Sequence, residues 1–220
     1  MLTSQKTHKI DVGRLMIVPL FTLLLVANIL AIRGEVNVLV PLSTIKVATL
    51  VHRLLIICFY ALWVILYIMR SSARATTDSF VAKAIAIVAT FIPFAFPVLS
   101  RPINNLGIML FADVVIILGM IITLYSLSVL GRSVSIIPQA RSLVQTGPYR
   151  IVRHPLYLGE LIAILGIVLA RFSLSAMTVF CLLTALQIYR AVQEERLLAG
   201  TFPEYESYSL NRARFIPGIY

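Results

Sequence analysis

The chain has 220 residues, 60% of them apolar, and a formal net charge of +10. A soluble domain holds about 45–50% apolar residues, so an ordinary water-soluble core is excluded; the excess falls into long runs separated by short basic stretches. The two cysteines, Cys58 and Cys181, both lie inside those runs and are not spaced as a metal site or redox pair, which reads as buried, unreactive thiols and leaves the redox compartment open.

The first run covers residues 16–32 and follows a basic stretch with Lys6, Lys9 and Arg14. A secretion signal shares that layout, but the later runs make an uncleaved anchor the better reading. The second run, 54–69, extends back as far as Ile45, and the third, 81–99, carries Pro93 and Pro97, which predict a kink. The fourth is 106–130. The last two, 156–170 and 172–189, flank Arg171 and read as a tight helical hairpin. A bilayer crossing needs about 20 apolar residues, and four runs approach or meet that length. The expectation is an all-α polytopic membrane bundle of about six spans, with five as the alternative count.

The positive charge is distributed as in a membrane protein rather than a nucleic-acid binder. With six spans and a cytoplasmic N-terminus, one side holds Lys6, Lys9, Arg14, Arg70, Arg74, Lys83, Arg132, Arg141, Arg150, Arg153, Arg190, Arg196, Arg212 and Arg214. The other holds Arg33, Lys46, Arg53, Arg101 and Arg171. This is the positive-inside bias, with a mild violation in the first external loop. It places both termini on the cytoplasmic side and makes the lipid bilayer, not nucleic acid, the partner.

Residues 1–130 read as a region of transmembrane helices with little polar chemistry. His52 and Arg53 sit at a predicted membrane boundary, where snorkelling accounts for them. Asp113 is a carboxylate deep in the fourth run, either a helix–helix contact or the polar wall of a channel. Residues 131–220 read as the catalytic region. A basic, turn-rich stretch with Pro138, Gly147-Pro148 and His154-Pro155 leads into the hairpin. Pro155 suits the first turn of a helix. The free amides there, beside Arg153 and His154, would favour an anion such as a cofactor carboxylate. A charged helix containing Gln193-Glu194-Glu195-Arg196 is expected next, with Arg190 and Glu194 on one face. Residues 202–208 read either as an interfacial aromatic helix or as a lid over a bound cofactor.

Four blocks in order are distinctive: Gly147-Pro148-Tyr149, Arg153-His154-Pro155-Leu156-Tyr157, Glu194-Glu195-Arg196-Leu197-Leu198, and the stretch from Phe202 to Tyr208. Together they resemble the isoprenylcysteine carboxyl methyltransferase family and the related membrane phospholipid methyltransferases, over roughly the last 80 residues. The resemblance implies S-adenosylmethionine as cofactor, held without a Rossmann domain; no Gly-x-Gly-x-x-Gly occurs here. It implies cofactor contacts from Arg141, Ser142, Leu143 and Val144, from Tyr149, from His154, Pro155, Leu156 and Tyr157, and from Glu194, with Gln139 a further candidate. Arg190 would bind the acceptor's reactive carboxylate. The acceptor would be a lipophilic small molecule or lipidated group entering from lipid.

Two other readings compete. Tyr157-Leu158-Gly159-Glu160 and Arg214-Phe215-Ile216-Pro217 also look like segments of NADPH-dependent membrane sterol and steroid reductases. A non-enzymatic transporter or lipid-binding protein would need intramembrane charges on several spans, and only Asp113 and Glu160 qualify.

Overall fold

A computed structural model describes residues 12–37 and 44–218. Lys6, Lys9, Ile219 and Tyr220 lie outside the described residues. The helices are α1 (Val12–Asn37), α2 (Thr44–Met69), α3 (Phe80–Phe91), a one-turn α4 (Phe96–Leu99), α5 (Leu106–Leu130), α6 (Pro155–Ala170), α7 (Leu174–Thr201) and a short α8 (Tyr205–Leu210). Two-residue strands β1 (Ala75–Thr76) and β2 (Gln139–Ala140) pair antiparallel.

Among the described residues, four helices are long and apolar enough to cross a membrane: α1, α2, α5 and α7. The segments Phe80–Ala95 and Pro155–Ala170 are apolar but shorter. At 1.5 Å per residue the 16 residues of α6 extend about 24 Å, less than the hydrocarbon thickness of about 30 Å. The described residues therefore hold six apolar segments, four of them full length. Large apolar side chains such as Leu23, Leu54, Phe111 and Leu174 point outward, as lipid-facing helices require.

The two prolines of the third run act as expected. Beyond α3 the chain tightens into a 3₁₀ turn, Ile92–Ala95, and resumes as α4. The expected hairpin differs in its second arm. The last span does not end at Tyr189 before a separate charged helix; α7 continues unbroken for 28 residues to Thr201. No proline interrupts that stretch, and polar residues with good helix propensity carry the helix past the apolar run.

Side-chain caps fix three helix starts. Ser79, Asn105 and Ser173 accept hydrogen bonds from the amides of Ala82, Ile108 and Ala176, respectively. Helix α5 stops at Gly131, whose φ of 55° is open to glycine.

Helices α5 and α6 touch backbone to backbone. A Cβ added at Gly119 would lie 2.3 Å from the Ala163 nitrogen, and one at Gly166 would lie 2.8 Å from the Ala112 oxygen. Small residues let membrane helices approach this closely. Helix α1 packs on α2 through Phe21, whose ring meets Trp63 and Tyr60 edge-on at 5.5 and 5.6 Å. One hydrophobic cluster runs from Phe21, Trp63 and Tyr67 through Leu127 and Val134 to Leu156, Tyr157, Ala191 and Phe215. It crosses residue 130 without a break.

The intramembrane charges find partners on neighbouring helices. His52 Nδ1 lies 3.6 Å from Asp113 Oδ1, and Arg53 donates to Asn28 Oδ1 at 2.9 Å. Asp113 is thus a contact between α2 and α5 and lines neither of the two cavities described below.

Candidate active site

The polar segments gather at one end of the bundle. Arg14 on α1 donates to the Tyr67 carbonyl at 3.2 Å. The segment after α2 runs along the one after α5: Ser71 N donates to Arg132 O at 3.0 Å, and Arg74 N donates to Ala140 O at 2.7 Å. Tyr67 accepts from Ile136 N at 2.8 Å. These ties hold residues 134–140 against the bundle, and burial alternates from one residue to the next. Val134 and Ile136 are buried in the core, while Ser133, Ser135, Ile137 and Gln139 face a cleft.

That cleft encloses about 780 Å³, part of it open to solvent. Its remaining walls are Leu130, Ser142, Leu143, Val144, Tyr149, Arg153, His154, Leu156, Tyr157, Glu194, Leu198, Tyr205 and Tyr208. Nine of the residues expected at the cofactor meet here: Gln139, Ser142, Leu143, Val144, Tyr149, His154, Leu156, Tyr157 and Glu194. Arg141 and Pro155 do not line it. Arg141 is buried behind the wall and donates to Gln139 Oε1 at 2.6 Å, while Pro155 opens α6. Gln139 is further fixed by Ser135 at 2.8 Å and Thr76 at 3.2 Å. Ser133 bonds to Ser142 across the strand-like turn.

Sequence reading missed Ser133 and Ser135. Their signal was the alternation of positions 133, 135, 137 and 139, the period of an extended segment. The aromatic block contributes Tyr205 and Tyr208, which cover one side of the cleft; the Tyr208 hydroxyl donates to the Tyr149 carbonyl at 2.8 Å. Burial and nearby Glu194 push the Tyr149 phenol well up, and burial does the same for Tyr205. Tyr208 is pushed up to about 12 by burial, against the opposing pull of Arg153 and Arg212. All three are neutral hydroxyl groups at physiological pH.

The anion expected beside Arg153 and His154 is supplied by the chain itself. Arg153 Nη1 and His154 Nε2 each contact Glu195 at 2.9 Å, and Arg214 reaches the same carboxylate through Nε at 2.8 Å and Nη2 at 2.9 Å. The backbone joins in: Arg153 N donates to Ala213 O at 2.9 Å and His154 N donates to Arg214 O at 3.1 Å. Glu195 therefore pins α7, the loop before α6 and the C-terminal tail together. Its neighbour Glu194 turns toward the cleft and accepts from the Tyr157 hydroxyl.

Behind Tyr157 lies a second, larger cavity of about 1380 Å³, including open space. It is mostly apolar, walled by Phe21, Phe59, Tyr60 and Trp63 on one side and by α6 and α7 on the other. Its polar end holds Glu160, Gln187 and Arg190. Arg190 stands here rather than in the cleft. Its guanidinium sits 4.8 Å above the Tyr157 ring, and it donates to Gln187 Oε1 and Ile136 O, both at 3.0 Å. Ser135, Leu156 and Tyr157 line both spaces. Tyr157 is thus a partition, held by Glu194 on one side and Arg190 on the other. Among the described residues no group of three or more His, Cys, Asp or Glu side chains is placed to hold a metal ion.

Two known proteins match a stretch of this chain. The cobalt-zinc-cadmium resistance protein CzcN of Cupriavidus metallidurans is 41% identical over 80 residues, which cover 36% of this chain and 37% of that protein. The nickel-cobalt-cadmium resistance protein NccN of Alcaligenes xylosoxydans xylosoxydans is 36% identical over 83 residues, covering 37% of this chain and 38% of its own length. The matched segment thus spans under two fifths of either relative. Residues 108–205, from α5 to the start of α8, match the phospholipid methyltransferase family. That range contains Tyr157, Arg190 and Glu194, so over the residues that form the partition the chain is similar to phospholipid methyltransferases.

Proposed function

We propose that the protein is an integral membrane methyltransferase that uses S-adenosylmethionine, bound in the polar cleft, and methylates an apolar lipid or isoprenoid-type acceptor held in the neighbouring cavity. The observation that carries this reading is the shared wall: a polar and an apolar space meet at Ser135, Leu156 and Tyr157. A two-substrate transfer between a water-soluble donor and a lipid-soluble acceptor needs such a junction.

The cleft's chemistry fits the cofactor. A cation favours carboxylates and aromatic faces, and Glu194 stands among Tyr149, Tyr157, Tyr205 and Tyr208. The hydroxyls of Ser133, Ser135 and Ser142, with Gln139 and His154, suit the polar remainder of such a molecule. Arg141 and Pro155 would act by holding that wall in place. When bound, S-adenosylmethionine supplies a methyl group on a positively charged sulfur. The chain's own residues hold the two partners in line, and positioning of that kind can supply most of the acceleration. Arg190 stands where the acceptor's reactive end would lie. Residues 131–220 would provide the cofactor region and residues 1–130 the spans that wall the acceptor. The crowding of basic residues at the cleft's end supports a cytoplasmic location for it.

Membranes containing the protein, incubated with methyl-labelled S-adenosylmethionine, should yield a labelled lipid or apolar small molecule. Tight NADPH binding with no affinity for S-adenosylmethionine would overturn the proposal. Glu194→Gln keeps an acceptor for the Tyr157 hydroxyl but removes the charge. It should weaken cofactor binding about tenfold or more, the effect of losing one charge-assisted contact, and calorimetric titration reads this directly. Arg190→Ala should abolish turnover or raise the acceptor KM while cofactor affinity survives; normal kinetics would remove Arg190 from the site.

A further inference from the structure

The polar end of the apolar cavity holds more charge than positioning of an acceptor requires. Glu160 lines it from α6, opposite Gln187 and Arg190 on α7. Gln187 bridges the two: its Nε2 donates to Glu160 Oε2 at 2.8 Å, and its Oε1 accepts from Arg190 Nη1 at 3.0 Å. Arg190 Nη2 is committed to the Ile136 carbonyl, and its buried Nε has no protein partner. Glu160, Glu194 and Arg190 are close enough to interact electrostatically. The junction therefore sets two carboxylates against one guanidinium.

S-adenosylmethionine carries one net positive charge, from a sulfonium beside a zwitterionic amino acid. With it in the cleft, the junction is neutral before any acceptor arrives. An acceptor carboxylate would add an uncompensated buried negative charge, and an ammonium headgroup an uncompensated positive one; both are penalised where water is scarce. A neutral headgroup preserves the balance. A neutral nucleophile must shed a proton on methylation, and Glu160 is a carboxylate lining the cavity that would hold it.

Resting on the methyltransferase reading, we propose that the acceptor presents a neutral, weakly acidic X–H group, of phenol or thiol type, on an apolar body, and that Glu160 is the catalytic base that takes its proton. Phenols and thiols ionise near pH 10 and 8.5, within reach of a carboxylate base assisted by a cation; aliphatic alcohols are far weaker acids. In the step, the X–H bond breaks and its proton passes to the Glu160 carboxylate. The electron pair left on X forms the bond to the methyl carbon. The methyl–sulfur bond breaks with its pair remaining on sulfur. The products are a methyl ether or thioether, S-adenosylhomocysteine and protonated Glu160. Arg190 faces the negative charge that develops on X, and Gln187 keeps base and cation apart at fixed spacing.

The test uses the full chain in lipid nanodiscs with methyl-labelled S-adenosylmethionine and three acceptors of equal tail: para-dodecylphenol, dodecanethiol and dodecanoate. The phenol or the thiol should take up label and dodecanoate should not; which of the two is labelled identifies the headgroup. Glu160→Gln should lower kcat on that acceptor by about 100-fold or more, the usual worth of a general base, with cofactor Kd unchanged by calorimetry. If the phenol is the substrate, an ortho-nitro analogue, assayed at a mildly alkaline pH where it is ionised and the parent phenol is not, should restore turnover in the variant. If the thiol is, raising the pH toward thiol ionisation should do so. Labelling of dodecanoate alone, label in none of the three with cofactor bound, or a Glu160→Gln kcat equal to that of the unaltered protein would overturn the inference. Failure of the unaltered protein to bind S-adenosylmethionine is a separate result and defeats the methyltransferase reading itself.

Discussion

Glu195→Ala should lower the melting temperature of the detergent-solubilised protein by about 10 °C and abolish cofactor binding. The carboxylate is contacted by Arg153, His154 and Arg214 at 2.8–2.9 Å, with its side chain only 10% exposed. Without it three basic side chains face one another with no anion between them. Removing one partner from a buried pair typically costs about 3–5 kcal/mol, and each kcal/mol moves the midpoint of a chain this size by about 2–4 °C. Binding should fail as well, because Arg153 and His154 also wall the cleft. Trp63 is the chain's single tryptophan and is buried against Phe21 and Tyr67, so its fluorescence reports core unfolding. Arg214→Ala leaves Glu195 two basic partners and should show a smaller drop. A Glu195→Ala protein that melts normally and still binds cofactor would show that the tail and loop are held by other means.

Gly159→Leu should prevent recovery of folded protein altogether. At this position even a Cβ would lie 2.6 Å from the Thr123 hydroxyl and 2.7 Å from the Thr123 nitrogen. The second obstacle is backbone, so no rotamer change relieves it. Overpacking a tight core by a few methylenes costs about 1–3 kcal/mol, and here the whole α5–α6 contact must open, taking Leu156 and Tyr157 with it. Size-exclusion chromatography should show aggregated or absent protein. Gly200→Ala is the control: no atom lies within 4 Å of the added Cβ on α7, so it should be neutral or stabilising by up to about 1 kcal/mol.

These two positions mark the boundary of what the sequence discloses. Run length located α1, α2 and α5, and Pro93 and Pro97 marked the break after α3, because those are local properties of backbone and solvent. Of the nine expected residues that line one cleft, five come from the ordered blocks and four from the loop before them. The resemblance singled out Glu194, but the role of its neighbour Glu195 was not legible, since side chains one residue apart on a helix point about 100° from each other and only distant partners decide what each one holds. The same holds for Asp113, whose partner His52 comes from another span. In sequence Gly159 reads only as part of Tyr157-Leu158-Gly159-Glu160; its demand for space arises from Thr123 and Gly119 on a different helix. The course of α7 past Tyr189 was hidden because hydropathy falls there while helix propensity does not.

That continuous α7 has a mechanical consequence. Its 28 residues extend about 42 Å, roughly 12 Å more than the hydrocarbon slab. Arg190, Glu194 and Glu195 ride on one stiff rod with the span, and no hinge separates them. A change in bilayer thickness that tilts the rod must swing these side chains relative to α6, so lipid tail length becomes a lever on the width of the junction at Tyr157.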